Sequence, residues 1–281
     1  MHEFQVRGHE RFLIHALREV WQKQGLQISY LYGTKERPEA DLLIPHIDLT
    51  HTPQEYIEFI RSYPQVVNRH VVDISKRHIS TNLLSKNEIY EGPVIVKTNN
   101  NFGGLPEYRL LRVRHPFLTR LRRTAVSIAE CAFRQRLAWQ SILRKYPVYN
   151  KLTEVPSGVF RNPAFVVERF LPEKEGSQYF IRHYLCLGDH TRSVRVAGSA
   201  PFLKRSECML VDEGFPVPDQ VVNFRRQIGL DYGKIDYTIH ASRVVILDVN
   251  KTPGSPDTPE ATSRTVNDLA NGIWSLLPKI S

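Results

Sequence analysis

The stretch Gly233-Lys234-Ile235-Asp236-Tyr237-Thr238-Ile239-His240, Ala241-Ser242, Arg243-Val244-Val245-Ile246-Leu247-Asp248-Val249-Asn250-Lys251-Thr252-Pro253-Gly254 holds the densest chemistry in the chain. Two β-branched-rich runs flank a short polar turn, and Pro-Gly stops the second run, so the pattern predicts a β-hairpin. Such pairing brings Asp236 and Asp248 near each other at one end of the hairpin. Asp248 and Asn250 are two apart and point to the same face of their strand. Two carboxylates and an amide oxygen on one sheet face make a hard-oxygen site. Mg²⁺ (or Mn²⁺) suits it, because Mg²⁺ needs few protein ligands and takes its other oxygens from water and phosphates. A surface hairpin that happens to carry acids fits the same residues, so the decision rests on what surrounds it.

Working upstream, Asp219–Ile228 reads as a short helix leading into the hairpin. Tyr179–Leu187 and Arg192–Ala197 flank Gly188-Asp189-His190 as an antiparallel pair, preceded by a linker, Glu173-Lys174-Glu175-Gly176-Ser177. Phe165–Pro172 is an apolar strand running into that linker. Residues 109–145 are basic, with apolar positions suggesting one or two helices. A solvated basic face explains them, as does an anion-attracting wall beside a site. Before them, Gly92–Lys97 is a strand ending in a lysine, followed at once by Thr98-Asn99-Asn100-Asn101-Phe102-Gly103-Gly104. Asparagine and glycine tolerate left-handed backbone, so this loop can fold over a phosphate chain and offer its N–H groups. Lys97 would add a positive charge there, although a flexible strand turn explains the same residues. Lys76 and Lys86, around an expected helix over Ile79–Leu84, are further candidate phosphate contacts.

The front of the chain reads as a small α/β region over residues 1–70. Glu10–Gln24 has helical apolar spacing, Gly25 stops it, and Ile28–Tyr32 follows as a strand. Leu42-Leu43-Ile44 is apolar, Thr52-Pro53-Gln54-Glu55 has the form of a capping box for a helix to about Ser62, and Val66-Val67 is a short strand. No glycine-rich phosphate loop occurs in it, which argues against a dinucleotide-binding domain. At the other end, Thr262–Leu277 reads as a closing helix with Val266, Leu269, Ile273, Trp274 and Leu277 on its buried side.

The 281 residues are 41% hydrophobic and 24% charged, enough for a proper core and more than one domain. A net charge of +9 favours anionic partners. With no recognised nucleic-acid module, the composition argues against nucleic acid as the main substrate. Three widely separated cysteines (Cys131, Cys186, Cys208) suit buried thiols in a reducing compartment. No apolar run is long enough to span a membrane and the first residues lack a signal-peptide core, so the expected location is cytoplasmic.

Taken together, these elements resemble the ATP-grasp superfamily. The order matches over about residues 68–260: a helix bearing a lysine, a strand-lysine-glycine loop, a hinge strand, then an acid-bearing hairpin ending in Asn250-x-x-Pro253-Gly254. The resemblance implies an α+β, ATP-grasp fold in which two α+β lobes clamp nucleotide. A truncated α/β domain (1–70) would precede an ATP-grasp domain (71–281), made of a first lobe (71–170, with a basic helical segment over 115–146) and a second lobe (171–281). It implies that Lys76 and Lys97 hold ATP phosphates, while the loop Asn99, Asn100, Asn101, Gly103 and Gly104 closes over them. Glu168, with the backbone of Phe170 and Leu171, would contact adenine. Gln178 stands where the ribose-binding acid is expected. Asp236, Asp248 and Asn250 would be the metal ligands. Lys234 would stabilise an oxyanion, and Arg182 would neutralise the γ-phosphate.

Two departures stand out: Asp248 replaces the family's usual glutamate, and Lys234 replaces an arginine that would grip an oxyanion in bidentate fashion. The implied function is an ATP- and Mg²⁺-dependent ligase joining a small-molecule acid to an amine (or thiol) through an acylphosphate, with a homodimer common in such proteins. The alternative is a kinase of the same fold acting on a small anionic acceptor such as an inositol polyphosphate.

Overall fold

The computed structural model describes residues 12–114, 146–200 and 209–278. Over these residues the chain is a mixed α+β fold built on two antiparallel sheets. Helices α1 (Leu13–Lys23), α2 (Gln54–Arg61) and α3 (Lys76–Ile79) come first, followed by strand β1 (Val94–Thr98) and helix α4 (Leu105–Arg114). Then come β2 (Val148–Tyr149), α5 (Ser157–Arg161), β3 (Phe165–Arg169), β4 (Glu173–Glu175), β5 (Gln178–Leu187), β6 (His190–Gly198) and β7 (Met209–Glu213). Helix α6 (Asp219–Ile228), strands β8 (Tyr232–His240) and β9 (Arg243–Asn250), and helix α7 (Pro259–Leu269) complete the order. The smaller sheet runs β2-β1-β3 and the larger β7-β6-β5-β8-β9, with β4 added beside β5. Among the described residues, no helix is long and apolar enough to cross a membrane.

Strand alternation sorts each sheet into a core face and an open face. In the smaller sheet Val94, Val96, Phe165 and Val167 pack on Leu152, Val155 and Val159, while Ile95, Lys97 and Glu168 face a cleft. In the larger sheet Tyr184, Cys186, Ile235, Tyr237, Ile246 and Val249 pack against Val221 of α6 and Leu230. The opposite face splits along its length. At one end Leu185, Leu187 and Tyr232 form a core with Leu13, Leu17 and Trp21 of α1 and Val266 and Leu269 of α7. At the other end the sheet forms the cleft floor. Helix α1 is fixed to the closing helix, since the Trp21 indole donates to the Ala270 carbonyl at 2.8 Å. Burial pushes the Cys186 thiol up to about 12, so it behaves as a small core side chain.

Helices α1 and α6 and the β5–β6 and β8–β9 hairpins match the sequence reading. Gly25 (φ +91°) ends α1 in the left-handed backbone that glycine tolerates. Several local expectations fail because tertiary partners override local pattern. Residues 28–32 form no strand among the described residues, and Leu43 and Val66 make only an isolated parallel bridge. The helix expected over Ile79–Leu84 is confined to Lys76–Ile79. The capping box at Thr52 does not form: Pro53 takes the cap position, and the Thr52 hydroxyl accepts from the Lys251 ammonium at 2.7 Å. The Glu173–Ser177 linker contains β4, which pairs with β5 through Glu173–Phe180. Helix α7 tightens into a 3₁₀ turn over Ala270–Ser275, so the apolar spacing changes from 3.6 to 3.0 residues and Trp274 turns outward, 48% exposed. The basic helical segment over 115–146, Tyr146 excepted, lies outside the described residues, as do Cys131 and Cys208.

The β8–β9 turn offers a direct check of local backbone cost. Ala241 (φ 46°) and Ser242 (φ 63°) both sit in the left-handed region that two-residue hairpin turns demand and that Asn-Gly fits best. Replacing the pair by Asn-Gly is expected to stabilise the fold by about 1 kcal/mol and raise the thermal midpoint by roughly 2–4 °C. An unchanged or lowered midpoint would show that this turn geometry is wrong.

Candidate functional site

Among the described residues, a cleft of about 2280 Å³ opens between the smaller sheet, the floor of the larger sheet and the N-terminal region. Its charged floor follows from register. Asp236 is directly opposite Asp248, and Lys234 is directly opposite Asn250, so all four fall on one face of the β8–β9 pair. A β-bulge follows at once: Asp236 pairs with Asp248 but Tyr237 pairs with Ile246, leaving Leu247 as the extra residue. The bulge lets Leu247 and Asp248 both line the cleft while Ile246 returns to the core. Simple alternation assigned Asp248 and Asn250 to one face but could not place Leu247.

The ion pairs around this floor join distant parts of the chain. The Lys234 ammonium lies 2.9 Å from Asp236 Oδ1, and His183 Nδ1 lies 2.6 Å from the same oxygen. Burial alone would raise the Asp236 carboxyl, but Lys234 and His183 overcome it and hold it below the usual carboxylate range. Lys76, only 3% exposed, reaches Asp248 Oδ1 at 3.4 Å. Burial pulls the Lys76 ammonium down, yet Asp248, Tyr146 and Glu168 more than restore it and leave it raised. Burial also pushes the Asp248 carboxyl up, with Asp236 adding to the effect against Lys76. Burial and the neighbouring Asp236 thus outweigh the pull of Lys76 on Asp248, which lies 3.4 Å away.

Across the cleft, Lys97 and Glu168 project from β1 and β3 and meet at 2.7 Å through Glu168 Oε2. The other oxygen, Oε1, is buried with no hydrogen-bond partner among the described residues. Phe170 and Leu171 continue along the cleft wall beside them. Asn250 Oδ1 accepts from the Thr252 backbone N–H at 2.8 Å, and the Thr252 hydroxyl donates to Asp48 Oδ1 at 2.8 Å. The same hydroxyl lies 3.3 Å from Asn250 Oδ1, and its one proton goes to the shorter Asp48 contact, so the Thr252 N–H and hydroxyl together fix the amide orientation.

The asparagine loop differs from the free phosphate flap expected of it. The Asn99 carbonyl accepts from Lys76 N–H at 2.9 Å, its side-chain oxygen from Arg77 N–H at 3.0 Å, and its own N–H donates to Ala164. Asn101 N–H donates to the Thr50 hydroxyl at 2.9 Å. The loop thus ties β1 to α3 and positions Lys76. Asn101 and Phe102 line the cleft, whereas Asn99, Asn100, Gly103 and Gly104 do not. Phe102 (φ 46°), Gly103 (φ 67°) and Gly104 (φ +74°) are consecutive left-handed residues, which explains the glycines.

Two expected positions fall outside the cleft lining. Arg182 alternates with His183 and so emerges on the other face of β5. There it binds Glu173 through Nε (2.9 Å) and Nη2 (2.8 Å), sharing that carboxylate with Arg195. Gln178 is exposed at the start of β5, opposite Glu175. Conversely, the sequence reading passed over His183. Its only signal was parity with Leu185 and Leu187 on the inward face of β5, and nothing local tied it to Asp236, 53 residues away.

The donor set fits a hard cation. Among the described residues no group of three or more His, Cys, Asp or Glu is placed to hold a metal. Two carboxylates and one amide oxygen on one face are the sparse oxygen set that Mg²⁺ completes with water and phosphate oxygens.

No family model matches the sequence, and no curated protein does. Among solved structures, a D-alanine–D-alanine ligase from Bacillus anthracis is 11% identical, over 97% of this chain and 93% of that one, with a TM-score of 0.48. The macrocyclase MdnC, bound with precursor peptide MdnA, and the macrocyclase MdnB, both from Microcystis aeruginosa MRC, are 12% and 14% identical. They match 41% and 40% of this chain, which spans only 37% and 41% of theirs, with TM-scores of 0.27 and 0.25.

Proposed function

We propose that the chain is an ATP- and Mg²⁺-dependent ligase of the ATP-grasp type, joining a carboxylate to an amine (or thiol) through an acylphosphate and releasing ADP and phosphate. The observation that carries this reading is the convergence of Lys76, Lys97, Lys234, Asp236, Asp248 and Asn250 on one cleft from elements far apart in sequence. Asp236, Asp248 and Asn250 would hold the metal, which when bound neutralises phosphate charge and draws electron density from the reacting phosphoryl group.

The chain's own residues account for the rest. Lys76 and Lys97, on α3 and β1, are nearly buried cations that line the cleft and would hold phosphate oxygens there. Lys234, at the end of the carboxylate pair, offers a point charge to a developing oxyanion, in a less directional form than a bidentate arginine. Phe170, Leu171 and Leu247 supply an apolar slot for a base. Oε1 of Glu168, without a donor among the described residues, can accept from an exocyclic amino group, which adenine has and the equivalent edge of guanine lacks.

Product analysis tests the reading. Purified protein with ATP, Mg²⁺ and paired panels of acids and amines should release ADP and phosphate only when both acceptors are present. Phosphate retained on a single acceptor would replace the ligase reading with a kinase. Nucleotide competition should also show ATP bound roughly tenfold or more tightly than GTP, given the one hydrogen bond at stake. Equal affinities would remove Glu168 from the base contact.

A further inference from the structure

We infer that His183 is a positioning residue for the metal site: it holds one oxygen of Asp236 and so turns the other toward the cation. The inference rests on the metal reading proposed above. Both contacts made by the Asp236 carboxylate among the described residues fall on Oδ1, from His183 Nδ1 at 2.6 Å and Lys234 Nζ at 2.9 Å. A carboxylate clamped twice through one oxygen cannot rotate freely, and its second oxygen has a defined direction.

The surroundings of His183 argue that the imidazole is there for this contact. Its neighbours on the same face of β5 are Ile181 and Leu185, and its partner on β6 is Val194, all aliphatic. On β8 it faces Asp236, whose Oδ1 it shares with the Lys234 ammonium. An aliphatic side chain would continue that strip at no polar cost, so sheet packing alone does not call for a histidine. The pairing also crosses strands: Asp236 is directly opposite His183 on one side and Asp248 on the other. His183, Asp236 and Asp248 therefore form a row across three strands, in which the histidine acts on the metal through the first carboxylate.

Titration of the full-length protein with Mn²⁺, reading free ion by electron paramagnetic resonance, separates this role from a structural one. His183→Ala is expected to weaken Mn²⁺ binding by about tenfold or more, the usual scale for losing a group that orients a metal ligand. His183→Asn, which keeps a donor near Asp236 Oδ1, should recover part of that loss, and both variants should melt close to wild type. Wild-type affinity in His183→Ala, with Asp236→Asn and Asp248→Asn both weakened, would overturn the positioning role and leave the metal site standing. Wild-type affinity in all of these variants would remove the metal site and the inference with it. A loss in His183→Ala that His183→Asn does not recover, accompanied by a lowered melting temperature, would make the residue structural and also overturn the inference.

Discussion

Asp248→Asn is expected to lower ATP-dependent turnover by roughly 10³-fold or more, since losing a charged metal ligand removes about 4 kcal/mol of transition-state stabilisation. Asparagine has nearly the same shape, so the β-bulge that turns residue 248 into the cleft is retained. The charge change reaches further than the metal. Lys76 is 3% exposed and its strongest attraction is to Asp248, so the variant leaves a buried ammonium without its main partner. Some loss of stability is therefore expected, and thermal melting has to accompany the rate measurement. A folded variant with near-wild-type turnover would remove Asp248 from the site and with it the proposed chemistry.

The second large effect concerns Lys97→Met. The ammonium meets Glu168 at 2.7 Å, with both side chains almost wholly buried. Removing one partner of a buried pair typically costs 3–5 kcal/mol, because the other charge is left uncompensated. ATP affinity is expected to fall about 100-fold as a phosphate contact disappears. The two losses can be separated with Lys97→Met/Glu168→Gln. Neutralising the stranded carboxylate should restore much of the melting temperature without restoring ATP affinity. If affinity returns with stability, Lys97 acts on the fold alone and the phosphate assignment fails.

These variants also show how the site divides between what sequence reveals and what it hides. The β8–β9 hairpin was legible because turn chemistry, strand composition and the Pro253-Gly254 stop all lie within one short stretch. The strand position of Lys97 was legible for a similar reason, at the end of an apolar strand before an Asn/Gly loop. The role of Asn99 was not: its tether to Lys76 and Arg77 joins a loop to a helix more than 20 residues upstream. Arg182 illustrates the opposite error. The family resemblance gave Arg182 to the γ-phosphate, but a strand places neighbouring residues on opposite faces, and Arg182 joins Glu173 and Arg195.

Periodicity, turns and composition are local properties, so the chain alone revealed helices α1 and α6, the two long hairpins, and the supply of lysines and acids. Only the tertiary structure decided which groups meet. It set His183 and Lys234 on one oxygen of Asp236, joined Lys76 to Asp248 across 172 residues, and left Glu168 Oε1 buried with no donor among the described residues. It also sent Arg182 away from the cleft. Those outcomes depend on sheet register and on one extra residue in β9, and register is fixed by the packing of both sheet faces at once rather than by any single stretch of chain.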